Sequence, residues 1–338
     1  MKILIHLAAV ILYINSVEGD FDPTLHANYK QLNEAECGTN PGDELRPFIV
    51  QIPRNKREAR LGEFPWVVLI SLHYPDVQES HKCMGTIIAR RFILTASSCF
   101  AGYGNEEISL NSVFVVAGEW DLSTDPDCEE WGCAPKSTFY QIDKISFLHT
   151  NAPAQNGKNL ALLRTRLPIN FNGYVGPICV DYGETLRKEF NGRFGIRVSG
   201  WGVSNTDYQQ NNKLMVFGDL DIVPSTWSAL PDFLPDSFKS QETDESYFLI
   251  QTLNETSHKS DTGGPVMVNF RRKGSKHHRY YLYGVFSFET AFAIVAKAEA
   301  LDVAAKVRYH LKWILDNMYL KDFKLPDKIL KLISGSDY

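Results

Sequence analysis

Long apolar runs are almost missing from this chain of 338 residues. One exists, "ILIHLAAVILYI" after Lys2. It is shorter than the roughly 20 apolar residues a bilayer-spanning helix needs, so no membrane span is expected. A strong excess of one charge is missing too. The net charge of -5, with 22% of residues charged, leaves no electrostatic footprint for a nucleic acid. The densest basic run, "RRKGSKHHR" from Arg271 to Arg279, reads as a solvated hairpin tip. There is no CxxC pair and no His-Cys cluster, which excludes the usual zinc sites; no metal and no cofactor is expected. Alternation of strand and helix patterns is also lacking, which argues against a parallel α/β sheet.

What is present begins with a secretory signal over residues 1–19: a basic start, a short apolar stretch, and the small residues of "NSVEG" before a cut after Gly19. The expected mature protein is secreted and extracellular. The six cysteines fit an oxidising compartment; their even number permits full pairing but leaves the connectivity open. "NET" places a glycosylation acceptor at Asn254. Residues 20–61 are polar, contain Pro and Gly and the basic "PRNKREAR", and read as an extension or linker. From there short β-branched runs follow one another between turn residues: "WVVLISL", "GTIIA", "FILTA", "SVFVVAG", "FGIRVSGWG" and "YYLYGVFSF". That is the pattern of an all-β barrel or sandwich. One helix is expected over Asp302–Met318, whose second half has apolar residues at helical spacing. Residues 319–338 form a tail, with "PDKILKLI" as a short amphipathic turn after Pro326.

Several blocks, in order, resemble the chymotrypsin-like serine proteases. "GEFPWVVLI" is similar to their first strand, and "CMGTIIARRFILTASSC" to the strand pair that carries the catalytic histidine. "NLALLRTRLPI" resembles the block opened by the catalytic aspartate, and "VSGWG" the marker of the second barrel. "SDTGGPVMV" resembles the nucleophile loop, "YGVFSF" the strand lining the specificity pocket, and "KWI" the final helix. The resemblance implies two six-stranded antiparallel β-barrels and a C-terminal α-helix over residues 62–318. A narrower resemblance, carried by "CGTNPG", "EARLGEFPW" and "AGEWDLSTDPDCEE", is to arthropod clip-domain proteases and their inactive homologues. The single Cys37 before the barrel cannot form the three-bridge clip module.

The same resemblance assigns roles that this chain fills with the wrong chemistry. Acyl transfer by such an enzyme needs an imidazole to take the nucleophile's proton and a carboxylate to orient it. The histidine position is Ser98, which cannot act as a base near neutral pH. The aspartate position is Asn159, which carries no charge. The nucleophile position is Thr262, whose methyl group crowds attack. His258, four residues before Thr262, reads as a solvated side chain standing where the family has a cysteine. The oxyanion-hole glycine is Ser260, where a β-carbon opposes the backbone twist that aims the N–H inward. The specificity-pocket positions are Thr256, Ser287, Glu289 and Asp302; no acidic residue stands at the pocket base, and Glu289 and Asp302 replace wall glycines.

Activation is altered as well. The new N-terminus of the family would fall at Pro53, in "PRNK", and the "RNKR" of Arg54–Arg57 reads as a solvated linker with processing as the alternative. The resemblance pairs Cys83 with Cys99, Cys128 with Cys133, and Cys37 with Cys179. Two bridges of the second barrel are absent, Ile250 and His258 holding their positions, each forgoing roughly 2–4 kcal/mol. The leading expectation is a secreted, non-catalytic serine protease homologue. It would bind extracellular proteins, active serine proteases or their substrates, as a cofactor, decoy or regulator in a cascade such as immunity and melanisation, or in a reproductive fluid. Altered hydrolysis by Thr262 and a structural secreted glycoprotein are the alternatives.

Overall fold

A computed structural model describes residues 21–32, 36–40, 57–73, 81–100, 109–130, 132–149, 158–180, 196–202, 211–223, 246–252, 261–271, 277–289 and 300–320. After the two-residue strand β1 (Arg57–Glu58), six strands make a closed barrel: β2 (Val67–Leu72), β3 (His81–Ala89), β4 (Phe92–Thr95), β5 (Val113–Ala117), β8 (Thr138–Phe147) and β9 (Ala161–Thr165), ordered β2-β3-β4-β9-β8-β5. Between β5 and β8 a small hairpin joins β6 (Cys128–Glu129) to β7 (Gly132–Cys133). Every residue of β2 and β4 is buried, whereas β8 exposes Thr138, Phe139 and Gln141 and buries Tyr140 and Ile142. β2 and β4 are therefore apolar except for the buried Ser71 and Thr95, and β8 alternates because its outer face meets water.

The second half adds β10 (Cys179–Val180), β11 (Ile196–Gly200), β12 (Met215–Val223), β13 (Tyr247–Thr252), β14 (Pro265–Phe270), β15 (Arg279–Glu289) and β16 (Ala300–Lys306). The order β12-β11-β14-β15-β16-β13 is closed by pairing of β13 with β12, giving a second ring of six antiparallel strands. Helix α1 (Leu311–Asn317) follows. The two cores meet where Trp66 Nε1 points at Met267 Sδ, 3.0 Å away, and where Tyr280 packs against Phe64 and Trp66.

The expected two-barrel, all-β architecture with a terminal helix is thus the observed one. The helix begins at Leu311, later than the expected start at Asp302, because Ala300–Lys306 extends as β16 between β13 and β15. Two facing strands satisfy its backbone there, and that tertiary pairing overrides a sequence that also suits a helix. Disulfides join Cys83 to Cys99, Cys128 to Cys133 and Cys37 to Cys179, with Cα–Cα separations of 6.0, 4.0 and 4.8 Å. "RRKGSKHHR" links β14 to β15, which pair Phe270 with Arg279; its residues 272–276 lie outside the described residues, as do the tail beyond residue 320 and the signal segment.

Among the described residues no helix is long and apolar enough to cross a membrane. Among the described residues, one largely buried ionic network ties the segment just after α1 to the first barrel. Asp143 receives Arg91 at 3.0 Å and Arg164 at 2.7 Å, and Arg164 also donates to the Tyr319 carbonyl at 2.8 Å.

Candidate functional site

Four short pieces meet at the junction of the two barrels. Ser97 and Ser98 lie in the 3-10 turn Ser97–Phe100 that leaves β4. Asn159 stands just before β9, Thr262 just before β14, and Ser287 in β15. Asn159 is the hub. It is 1% exposed, as is Ser287. Its Oδ1 accepts Ser97 Oγ–H and Ser98 N–H, both at 2.8 Å. Its Nδ2 donates to Ser98 Oγ at 3.0 Å, to Ser287 Oγ at 2.7 Å and to the Ser287 carbonyl at 3.3 Å. An amide supplies both acceptor and donors, so it satisfies this buried corner without a charge.

Thr262 closes the same corner from the second barrel. Its carbonyl accepts Met84 N–H at 3.0 Å and lies 3.7 Å from Cys99 Sγ. Gly263 follows at φ +88°, and a β-carbon there would overlap the Met84 carbonyl and the Thr95 hydroxyl. Both the backbone angle and the contact therefore demand glycine. Asp261 is fully buried, and its carboxylate lies over Gly200 and Gly202; a β-carbon at either glycine would collide with it. The glycines of "VSGWG" are thus explained by the acid of the "SDTGGP" loop, a long-range link that neither motif announces by itself.

In chemical terms the described site holds hydroxyls, one carboxamide and a buried carboxylate, and no imidazole or amine. Of the residues that the sequence singles out, Ser98, Asn159 and Ser287 are joined by hydrogen bonds, while Thr262 meets Met84 and the Cys99 sulfur, next to Ser98. Sequence reading missed Ser97, whose hydroxyl donates to Asn159; the doubled serine of "TASSC" was the available signal. Asp302 is 1% exposed on β16, and its register partner on β15 is Glu289. Asn254, Thr256, His258, Ser260 and the Pro53–Lys56 stretch lie outside the described residues.

A second cluster of titratable groups is the loop after β5. Its acids serve the loop itself. Asp127 accepts Trp120 N–H at 2.8 Å and Asp121 N–H at 3.0 Å, Asp121 accepts Ser123 N–H at 3.0 Å, and Asp125 accepts Ser137 N–H at 2.9 Å. Among the described residues no group of three or more His, Cys, Asp or Glu is arranged to hold a metal ion. Glu119 differs from its neighbours: Oε1 is buried with no hydrogen-bond partner, and burial first, then the Asp127 charge, raises its pKa from 4.5 to about 7.

The folded protein keeps that proton up to about pH 7, whereas an unfolded chain releases it near 4.5. Folded stability therefore falls as pH rises between these values and levels off above them. Glu119→Gln is expected to leave stability unchanged near pH 4 and to raise it by about 1–2 kcal/mol at pH 8. Urea denaturation at both pH values checks this; an equal change at both would show that the carboxylate's ionisation is not the cause.

Comparison with known proteins agrees with this geometry. The trypsin family model, "Trypsin", matches residues 53–314. Melanization protease 1 of Drosophila melanogaster is 27% identical over 320 residues, covering 88% of this chain and 71% of that protein. Phenoloxidase-activating factor 3 of Holotrichia diomphalia is also 27% identical, covering 87% of this chain and 78% of its own length. The Spaetzle-processing enzyme of Drosophila melanogaster is 30% identical; the match covers 68% of this chain and 58% of that enzyme. In fold, the chain is similar to the crystal structure of the Drosophila Grass clip serine protease of the Toll pathway, with a TM-score of 0.64 and 23% identity over 83% of this chain and 74% of that one. With paired six-stranded barrels, the "SGWG" glycines packed on the acid of the nucleophile loop, and a family match over most of its length, this chain belongs to the trypsin family.

Proposed function

We propose that this chain is a secreted trypsin-family protein that has no peptidase activity and acts by binding other proteins of an extracellular proteolytic cascade, residues 62–318 forming its protease-like domain. The observation that carries the reading is the Asn159 hub. At the place where a proton relay is required, Ser97, Ser98 and Ser287 close a neutral hydrogen-bonded knot around a carboxamide. None of these groups takes a proton from Thr262 near neutral pH. In an active protease with a Ser-His-Asp triad, changing the Asp to Asn alone costs about four orders of magnitude in turnover; here the base position has changed as well. The cascade part of the reading draws on relatives named for melanization, phenoloxidase activation and Spaetzle processing. A rigid two-barrel scaffold with variable loops suits recognition as well as catalysis.

The mature protein is expected to remain unlabelled by a fluorophosphonate probe and to leave a peptide library uncut. Added to an active clip-type protease and its zymogen substrate, it is expected to change the activation rate several-fold in either direction. Probe attachment at Thr262 with turnover above buffer would overturn the non-catalytic reading. An unchanged activation rate, with no stable complex, would overturn the cascade reading.

A further inference from the structure

Residues 21–32 belong by sequence to the polar extension, yet they are seated on the far end of the chain. Their partner is α1. A helix leaves its last carbonyls short of intrahelical donors, and α1 has no basic residue in its last turn to supply them. Asn317 Nδ2 donates to the Trp313 carbonyl at 2.8 Å, and the Met318 N–H donates to the Leu315 carbonyl at 3.2 Å. The extension adds a second donor at Leu315 and one at Met318. Asn28 Nδ2 donates to the Leu315 carbonyl at 2.9 Å, and Gln31 Nε2 donates to the Met318 carbonyl at 2.7 Å. The match is one of period. Tyr29–Gln31 form a 3-10 turn, in which residues three apart project on the same side. Asn28 and Gln31 are three apart, as are the two carbonyls they meet, and Gln31 also donates to Asn28 Oδ1 at 3.0 Å.

Further contacts flank this pair. His26 Nδ1 accepts Asn28 N–H at 3.1 Å, while Nε2 faces Asp316 Oδ1 at 3.1 Å. Lys312 holds the other Asp316 oxygen at 2.8 Å, and its bond is the chief reason the Asp316 carboxyl lies below its usual range. Leu32 is buried in the core cluster that contains Leu311, Ile314, Leu315 and Met318. Phe21 and Leu25 remain exposed. Fit therefore rests on a few directional bonds and two buried apolar residues, Pro23 and Leu32. Nearly 290 residues separate the partners in sequence, so chain connectivity alone does not impose the contact.

We propose that the C-terminal end of α1 is a peptide-recognition site, held in cis by residues 21–32, whose ligand is a short peptide with an Asn-x-x-Gln pair followed directly by an apolar residue. The resident segment is one such peptide, and the same segment from a second copy of the chain is the partner the site fits. Occupied in cis, the site buries its carbonyls; vacated, it presents two carbonyl acceptors, the Asp316 carboxylate and the Leu32 position.

The test uses the full chain with a specific protease site inserted within residues 33–35 and cut after folding, so that the segment is separated from the contacts of Cys37 and Gly38 with the second barrel. Native mass spectrometry is expected to find residues 21–32 still bound. An excess of synthetic peptide 21–32 is expected to displace them, and the same peptide with Asn28→Ala and Gln31→Ala to compete about tenfold or more less well, since two hydrogen bonds are lost. Asn28→Ala with Gln31→Ala in the chain itself is expected to release the segment on cleavage, with the uncut variant's unfolding midpoint as the control for folding. Complete loss of the segment from the unmodified sequence, or equal competition by the two peptides, would overturn the assignment. The peptide arm does not depend on the chain variant folding, and neither arm depends on the absence of peptidase activity.

Discussion

Ser98→His, Asn159→Asp and Thr262→Ser together are expected to yield a folded protein that still lacks trypsin-like turnover. Folding should survive because the Asn159 corner tolerates a carboxylate. Ser97 Oγ–H and Ser98 N–H already donate to Oδ1, and Ser287 Oγ, which now accepts from Nδ2, can turn to donate to the second oxygen. Three donors favour the ionised form, and the new imidazole would find the partner it needs. Activity should stay absent because the proton path is one part of the machine. The family resemblance puts Ser260 at the oxyanion-hole position, where the donor is worth about 10²–10³ in rate. The same resemblance puts Glu289 and Asp302 at pocket-wall positions and the new N-terminus at Pro53, which opens no hydrophobic pair. The measurement is kcat/KM on Arg, Lys and aromatic peptide substrates, with a thermal midpoint to establish folding. Turnover within about tenfold of an active relative would show that only the triad had been lost.

Asp143→Ala is expected to destabilise the fold by about 3–5 kcal/mol, the largest single loss named in this protein, because it strands two buried guanidinium groups. Arg91 is fixed by the Thr165 carbonyl at 2.6 and 2.9 Å, so it cannot turn away to water when the carboxylate goes. Burial is the main influence lowering the Arg91 pKa, and Asp143 is the group that opposes it. Arg164 would keep only its bond to Tyr319. Replacing Asp143 together with both arginines by apolar residues should recover much of the loss, since a buried ionic network is costly to break and far less costly to replace. Guanidinium denaturation of the single and triple variants separates the two cases. A single-variant loss below about 1 kcal/mol would mean that water reaches the network.

The strands were legible where one face, or both, is buried. "WVVLISL" and "FILTA" are apolar but for Ser71 and Thr95 because β2 and β4 have no exposed residue. The start of α1 was not legible, because "DVAAK" suits either period and only the facing strands β13 and β15 decide it. At the site, the odd residues Ser98, Asn159 and Thr262 stood out against the family's motifs, but their mutual bonding did not, because hydrogen bonds between residues some 60 apart leave no local pattern. The seating of residues 21–32 was hidden for the same reason. Asn and Gln read as solvated linker until the carbonyls they cap are brought beside them. The Gly200 and Gly202 requirement was visible as a motif and became physical only with the Asp261 carboxylate in place.

The Cys37–Cys179 bond has a mechanical consequence. It joins residues 142 apart in sequence, and the whole first barrel lies within the loop it closes. A force applied at the two ends of the chain passes through that bond and bypasses the loop. At roughly 3.6 Å per extended residue, about 500 Å of contour stays sheltered from tension while the bond is intact. Load then falls on the second barrel, where no disulfide joins two strands of the ring among the described residues and the pairing of β12 with β13 holds it shut. Tethered between two surfaces, the protein would yield from its C-terminal half, with the first barrel still folded.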